Sequence, residues 1–382
     1  MRWLVVAIPL AIAVACSDYE DEPSVGGTDA GVEDAPLAPP VDANGRPVDA
    51  APSTAAIAPA CPPAAYAATC LPGECELRTL STPNVPEVVF AVRTDADAVY
   101  WLAQPSDPEN KGYNGQGIAR VMRVRKSGGA PADVLVEGQP LTTRLVLDGE
   151  WIYWTTPFAG DRVDIRRTRR DCTAPCSFEV LATATGTAPT DGLLRLRAGL
   201  LALQSTNGFV RTFDVDAKRF DESLSSGDFP ALTATLDRIF VGSGTTTHVS
   251  STPIAGGVTT KWTLPPVEDT AASSPGVVRL ATDCTSLFAI RNDRAIWRAP
   301  IETGAFTTFT ASVDATYDVA VDARYFYTAA ANAGGVFATD LATGSRITIT
   351  QGNIWSVTVD DQGVYWGTHE QANGGAIRMM LK

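Results

Sequence analysis

Seven cysteines are the residues whose types and spacing first suggest chemistry in this chain: Cys16, Cys61, Cys70, Cys75, Cys172, Cys176 and Cys284. An even number of cysteines suits a set of disulfides in an oxidising compartment. When the number is odd, one cysteine stays outside the disulfides and must have another role. The sequence around each cysteine indicates which one it is.

The pair Cys172 and Cys176 is separated by Thr-Ala-Pro, a spacing that suits either a local disulfide or two ligands of a metal ion. No histidine lies near this pair, although the ligands of a zinc site are usually cysteines and histidines together. We therefore expect a disulfide between Cys172 and Cys176.

A second group, Cys61, Cys70 and Cys75, lies in one short proline-rich stretch, so one of the three must pair elsewhere. Cys284 is the remaining partner. Cys75 or Cys70 is the expected other half of that bridge, with further pairings left open. Residues 61–75 are thus predicted to be a cysteine-rich segment that a disulfide links to the folded domain.

The N-terminus has the features of a signal peptide over residues 1–15. Arg2 supplies a positive charge, and the apolar run from Trp3 to Val14 is too short to span a bilayer. The sequence Ala-Val-Ala-Cys ending at Cys16 resembles a bacterial lipobox, in which the cysteine is lipidated. The same Ala-Val-Ala also suits an ordinary signal peptidase. Lipidation of Cys16 leaves six cysteines for disulfides.

The stretch 16–60 is rich in Ala, Pro and Asp and has no apolar period. Such a segment cannot bury enough surface to offset its ordering entropy, so it is predicted to be a disordered tether. Ser17, where an Asp would favour retention in the inner membrane, points to an exported protein anchored in the outer membrane through Cys16.

The histidine content limits possible metal and catalytic centres. The chain has two histidines, His248 and His369, and no HExxH motif, so we expect ordinary roles for both. No cofactor is expected. The alternative is calcium in the loop Ala103–Gly117, whose candidate oxygen ligands are Asp107, Glu109, Asn110 and Asn114.

Five arginines crowd one short stretch of the second repeat: Arg162, Arg166, Arg167, Arg169 and Arg170. One interpretation is a patch that binds anions or acidic glycans. The other, which we favour, is a polar flank whose arginines pair with local acids. Those acids are Asp161, Asp164 and Asp171.

A repeated pattern begins near residue 76 and continues to the C-terminus. Its first part is an alternating strand, a turn, and a short apolar or aromatic strand. It occurs seven times, starting at Val88, Thr143, Leu193, Ala231, Val277, Tyr317 and Trp355. Its second part is a strand, a glycine-bearing hairpin and another strand, clearest from Val121, Val249, Ile296 and Val336.

Four antiparallel strands in every repeat, seven times over, predict an all-β chain folded as a seven-bladed β-propeller over residues 76–382. Six or eight blades are the alternatives. Asp148, Asp237, Asp283, Asp322 and Asp360 lie at the turns between the first two strands, where Asp caps a turn. The aromatic residues after these turns are expected to pack between blades.

The repeats resemble YWTD-type propellers and, more closely, the propeller lipoproteins of predatory and soil bacteria. The motif occurs in part as Tyr-Trp-Leu-Ala at Tyr100, Tyr-Trp-Thr-Thr at Tyr153 and Tyr-Trp-Gly-Thr at Tyr365. Its final Asp is missing from all three copies. The resemblance therefore implies the fold and no particular ligand.

The last repeat stops after its third strand, while Glu76–Ser81 resembles the fourth strands of other repeats. This N-terminal strand is predicted to complete blade seven and close the ring. The tether then arrives on the face that carries Cys284. The opposite face, formed by the loops between strands two and three and between blades, is left open.

The net charge of −13 disfavours nucleic acid as a partner, because like charges repel. We expect a monomer that acts as a non-catalytic binding or scaffold module for a protein or glycan on the open face. The alternative is a propeller enzyme, such as a hydrolase, lyase or sugar dehydrogenase. Three or more acids or histidines converging at the mouth of the channel would favour the enzyme.

Overall fold

The computed structural model describes residues 70, 74–82, 87–105, 119–140, 144–158, 162–185, 193–197, 199–204, 210–225, 231–266, 276–291, 294–310, 316–331, 334–369 and 375–382. All regular structure in these ranges is β-strand. The strands form seven antiparallel sheets of four, arranged as a seven-bladed β-propeller, which confirms the predicted fold.

The first four blades follow one another along the chain. Blade 1 contains β2 (Glu87–Thr94), β3 (Ala98–Pro105), β4 (Ala119–Arg125) and β5 (Asp133–Gln139). Blade 2 contains β6 (Leu145–Asp148), β7 (Trp151–Phe158), β8 (Arg162–Arg169) and β9 (Glu179–Thr185). Blade 3 contains β10 (Leu193–Arg197), β11 (Leu200–Gln204), β12 (Val210–Asp214) and β13 (Arg219–Ser225). Blade 4 contains β14 (Ala231–Ala234), β15 (Arg238–Gly242), β16 (His248–Pro253) and β17 (Thr260–Thr263).

The last three blades include the one that closes the ring. Blade 5 contains β18 (Val277–Thr282), β19 (Ser286–Arg291), β20 (Ile296–Pro300) and β21 (Thr307–Thr310). Blade 6 contains β22 (Thr316–Val321), β23 (Tyr325–Ala330), β24 (Gly335–Asp340) and β25 (Arg346–Thr350). Blade 7 contains β26 (Ile354–Val359), β27 (Gly363–Thr368), β28 (Ile377–Leu381) and, from the N-terminal side, β1 (Leu77–Ser81).

The N-terminal strand closes blade 7 as predicted. Strand β1 pairs antiparallel with β28, with Leu77 opposite Met380 and Thr79 opposite Arg378. Leu80 is buried in the core between blades 7 and 1, whereas Leu77 on the same strand is 53% exposed. Because the first and last strands share one sheet, the two ends of the propeller hold each other in place.

The core consists of apolar layers between neighbouring blades. Phe90 and Leu102 of blade 1, for example, share a buried cluster with Trp154 of blade 2. Tyr325 of blade 6 and Trp366 of blade 7 share another. The predicted role of the aromatic residues as packing between blades is therefore confirmed.

The ring has two faces. The turn face carries the turns between strands one and two of each blade, such as residues 95–97, and the hairpins between strands three and four, such as residues 126–132. The loop face carries the other connections, most of which lie outside the described residues. In blade 1 the hairpin turns at Gly128, whose φ of +69° is left-handed and favours glycine.

Two disulfides are described on the turn face. Cys172 and Cys176 form the predicted bridge in the hairpin of blade 2. Cys70 pairs with Cys75, so the prediction that one of them bridges Cys284 is wrong. Only five residues apart, their Cα atoms approach to 5.4 Å, which suits a local disulfide. Cys284 is also disulfide-bonded, but with neither of these partners.

Candidate functional site

One position on the turn face recurs in all seven blades, at the residue that follows the third strand. Its main-chain N–H donates to the carbonyl of the turn between strands one and two, as from Lys126 to Asp97 at 2.9 Å. In blades 3 to 6 the residue is apolar. In three consecutive blades it is a cation, namely Lys382 in blade 7, Lys126 in blade 1 and Arg170 in blade 2.

Each of these cations forms an ion pair with an aspartate of the preceding blade. Arg170 of blade 2 contacts Asp95 of blade 1 at 2.7 Å. Lys126 of blade 1 contacts Asp360 of blade 7. The series continues one blade earlier, where Lys382 contacts Asp322. The three ion pairs therefore join blades 6, 7, 1 and 2 along the turn face.

The same aspartates accept a hydrogen bond from a tyrosine five residues later in the chain. The Tyr100 hydroxyl donates to Asp95 at 2.9 Å, and the Tyr327 hydroxyl donates to Asp322 at 2.9 Å. Tyr365 and Asp360 repeat the arrangement at 3.2 Å. Burial and the adjacent carboxylate raise the pKa of Tyr100, which keeps the hydroxyl protonated as a donor.

These three sets of aspartate, tyrosine and cation are called the Asp–Tyr–cation triads below. Each aspartate also caps its own turn, as predicted for Asp322 and Asp360. In Asp95 the other carboxylate oxygen accepts the N–H of Asp97 and of Ala98. Every group of a triad is thus held by a neighbour, and the arrangement stabilises contacts between blades.

A groove of about 1180 Å³ lies above two of these triads, between blades 7, 1 and 2. Most of its basic side chains are already partnered. Arg123 donates to Asp133 at 2.6 Å and to the carbonyl of Arg170 at 2.6 Å. Arg125 and Asp97 are exposed at its margin. The groove therefore has mixed charge and a preorganised polar floor.

The central channel is lined by the first strand of each blade and presents a different surface. Phe90, Trp355 and Tyr317, from blades 1, 7 and 6, form a continuous aromatic arc. The ring centroids of Tyr317 and Trp355 are 4.5 Å apart, and those of Phe90 and Trp355 are 5.6 Å apart. Tyr317 and Trp355 remain partly exposed. Partly exposed aromatic rings offer apolar surface for ligand contacts.

The two histidines lie apart, in blades 4 and 7. His248 begins β16, and His369 directly follows β27. Burial lowers the pKa of both imidazoles; a hydrogen bond to the main chain of Glu87 opposes this for His369. No group of three or more His, Cys, Asp or Glu side chains in the described ranges could hold a metal ion.

The blade 2 arginines whose side chains are described pair with acids, as we favoured. Arg166 contacts Asp164 at 2.8 Å, and Arg169 contacts Asp171 at 2.9 Å. Arg167 instead pairs with Glu179 across the hairpin. Asp161 lies outside the described residues, as do the calcium-loop candidates Asp107, Glu109, Asn110 and Asn114, and the cysteines Cys16 and Cys61.

The triads were missed in the sequence because their parts were interpreted separately, as turn aspartates and packing aromatics. The signal was present: Asp and Tyr are spaced by five residues at Asp95, Asp148, Asp322 and Asp360. At Asp148 the pattern departs from the other three, since this carboxylate pairs with Arg195 of blade 3.

Comparison with known proteins supports the fold. No protein-family model and no curated protein matches the chain. Among solved structures, the extracellular domain of a hybrid two-component system from B. thetaiotaomicron matches with a TM-score of 0.55 and 14% identity, over 79% of this chain and 39% of that one. The β-propeller domain of Cps50 (Swd1) from Myceliophteria thermophila matches with a TM-score of 0.57 and 12% identity, over 80% of this chain and 100% of that one.

At these identities the likeness shows the propeller fold alone, and the chain spans about two fifths of the bacterial extracellular domain. The fold is consistent with a binding or scaffold module, since propellers host many functions and the site decides between them. In the part of the chain that is described, no helix is long and apolar enough to cross a membrane.

Proposed function

We propose that the chain is an exported envelope lipoprotein whose propeller binds a protein or glycan ligand without catalysis. The observation that carries the binding function is the aromatic arc, because Tyr317 and Trp355 are in ring contact with each other and stay partly exposed. A closed ring holds such side chains in place before the ligand arrives, which lowers the entropic cost of binding.

The cysteine pairing supports the lipid anchor. Cys70, Cys75, Cys172, Cys176 and Cys284 are all disulfide-bonded. Since the chain has seven cysteines, one of the remaining two serves Cys284 and the other is left over. Lipidation of Cys16 would use the extra cysteine and leave Cys61 as the partner of Cys284.

The binding function is tested by photo-cross-linking in the producing cell. The full chain is expressed with p-benzoylphenylalanine in place of Tyr317, an aromatic replacement of similar shape. The control chain carries the same group at Val258, which is 82% exposed on the hairpin of blade 4. We expect a ligand adduct from position 317 and none from position 258. No adduct at 317, or equal adducts at both positions, would contradict the proposal.

The anchor is tested separately by following maturation of the precursor. The wild-type chain should accumulate as a precursor when lipoprotein signal peptidase is inhibited by globomycin, and the Cys16→Ser variant should appear in the soluble fraction. Processing that ignores the inhibitor would remove the lipid anchor from the proposal while leaving the binding function untouched.

A further inference from the structure

Three neighbouring blades share an irregularity in their first strand, where one residue has no partner in the pairing with the second strand. That residue is Val278 in blade 5, Tyr317 in blade 6 and Trp355 in blade 7. A bulge of this kind redirects a side chain out of the regular alternation of a strand. All three residues are partly exposed, although Val277 and Ile354, directly before two of them, are buried. The bulges therefore set these three side chains apart from the fully buried positions of the core.

Tyr317 and Trp355 form the partly exposed portion of the aromatic arc. The planes of their two rings make an angle of 51°, and Trp355 also contacts the buried ring of Phe90. The Tyr317 hydroxyl has no hydrogen-bond partner among the residues that the structure describes. The arc thus offers two adjoining aromatic surfaces and one unused hydroxyl group.

Hydrogen bonds between the inner strands hold the arc in place. Arg279 Nε of blade 5 donates to the carbonyl of Tyr317 at 2.7 Å. The Ser356 hydroxyl of blade 7 donates to Asp318 Oδ2 of blade 6 at 2.6 Å, and its oxygen accepts the N–H of Val92 of blade 1 at 2.9 Å. These bonds connect blades 5, 6, 7 and 1 beside the arc. The aromatic rings are therefore positioned before a ligand arrives, which favours binding.

Two arginines and one aspartate beside the arc are already paired within the protein. Arg279 Nη1 donates to the carbonyl of Val278 at 2.6 Å. Arg93 Nη1 donates to the carbonyl of Val92 at 2.7 Å, and Arg93 forms an ion pair with Asp318. The net charge of −13 further disfavours an anionic ligand. These observations favour a ligand without charge.

We propose that the aromatic arc binds a neutral sugar ring of a glycan, with the sugar against Tyr317 and Trp355 and one sugar hydroxyl bonded to the Tyr317 hydroxyl. The proposal rests on the binding function proposed above and names its ligand class. The face of an aromatic ring is electron-rich, so it attracts the C–H groups on the face of a pyranose ring. An apolar peptide side chain would use the aromatic surface but leave the Tyr317 hydroxyl without a partner.

The test is isothermal titration calorimetry of the full chain with cellotriose, a neutral trisaccharide whose equatorial substituents leave both faces of each ring apolar. Wild-type protein should bind cellotriose. Tyr317→Ala should weaken this binding by about thirtyfold, because the ring contact and the hydrogen bond are both lost. Tyr317→Phe retains the ring and should weaken binding by only about threefold, through loss of the hydrogen bond.

Phe178→Ala is the matched control, because it removes an aromatic ring that is 42% exposed beside the outer strand of blade 2 and should leave binding unchanged. Tyr317→Leu serves as the second variant if Tyr317→Ala lowers the melting temperature, since leucine keeps an apolar side chain in the packing without an aromatic face.

The same titration with a neutral tripeptide, N-acetyl-trialanine amide, separates the two ligand classes. Binding of this peptide in preference to cellotriose would overturn the glycan in favour of a protein ligand. Absence of cellotriose binding, or binding that Tyr317→Ala and Tyr317→Leu leave unchanged, would also overturn the proposal. A photo-adduct at position 317 would then show that only the ligand class is wrong.

Discussion

At the scale of single residues, the most informative groups are the aspartates of the Asp–Tyr–cation triads on the turn face. Asp95 accepts hydrogen bonds from two main-chain N–H groups and from Tyr100, and it forms an ion pair with Arg170. One carboxylate therefore stabilises a turn, a buried hydroxyl and a neighbouring blade together. A buried donor that loses its acceptor costs more than the hydrogen bond itself contributed.

The substitution Asp95→Ala should lower the free energy of unfolding by about 2–3 kcal/mol, because Tyr100 and Arg170 both lose their acceptor. Asp97→Ala, in the same turn, removes an exposed carboxylate and should change stability by less than about 0.5 kcal/mol. Urea denaturation of both variants measures the difference. Equal losses in the two variants would show that the triad does not couple the blades.

The histidines give a prediction for pH. Burial lowers the pKa of His248 and of His369 below the ordinary value of 6.5, so the unfolded chain binds protons more readily at these sites. Stability should therefore fall as the pH drops from 7 to 5. The raised pKa of Glu87 acts in the opposite sense and offsets part of this loss. In the double variant His248→Gln, His369→Gln, the free energy of unfolding measured by urea denaturation should fall less between pH 7 and pH 5 than it does in the wild type. An equal fall in both proteins would contradict this assignment.

At the scale of elements, the closing strand and the irregularities of the inner strands determine the architecture. Strand β1 buries one side chain deeply, that of Leu80, and presents Leu77 to solvent. Its pairing with β28 gives blade 7 its fourth strand from the other end of the chain. A substitution in β1 is therefore expected to lower stability strongly at the buried position and weakly at the exposed one.

Leu80→Ala should lower the free energy of unfolding by about 2–4 kcal/mol, because it leaves a cavity between blades 7 and 1. Leu77→Ala, on the same strand, should change it by less than about 0.5 kcal/mol. Deletion of residues 76–82 should lower the melting temperature further than either. If Leu80→Ala and Leu77→Ala melt alike, β1 does not close the ring.

The number of blades, the closing strand and the disulfide at Cys172 could be predicted, because strand alternation and glycine hairpins are local properties of the sequence. The channel could not be predicted. The pairing of β22 with β23 shifts register between Thr316 and Asp318, and that of β26 with β27 shifts between Ile354 and Ser356. These irregularities fall at Tyr317 and Trp355, where simple alternation no longer says which way a side chain points.

The pairing of Cys70 with Cys75 could not be predicted either, since spacing alone allowed both a local and a distant partner. The triads needed knowledge of which blades are neighbours. Asp360 and Lys126 are far apart in the chain and meet only because the ring closes between blades 7 and 1. Contacts of this kind belong to the closed ring and are not encoded in any single repeat.

At the scale of the whole molecule, charged side chains join neighbouring blades on the turn face. On the turn face, cations and carboxylates of neighbouring blades neutralise one another. The chain as a whole is acidic, with a net charge of −13. An acidic net charge disfavours anions over most of the surface.

The central claim, that the propeller binds an envelope ligand through its channel, is tested most directly by hydrogen exchange of the full chain with and without a solubilised envelope fraction. We predict slower amide exchange in β22 and β26, which carry Tyr317 and Trp355, and unchanged exchange in the outer strand β17. Unchanged exchange in β22 and β26 at saturating amounts of the fraction would contradict the claim.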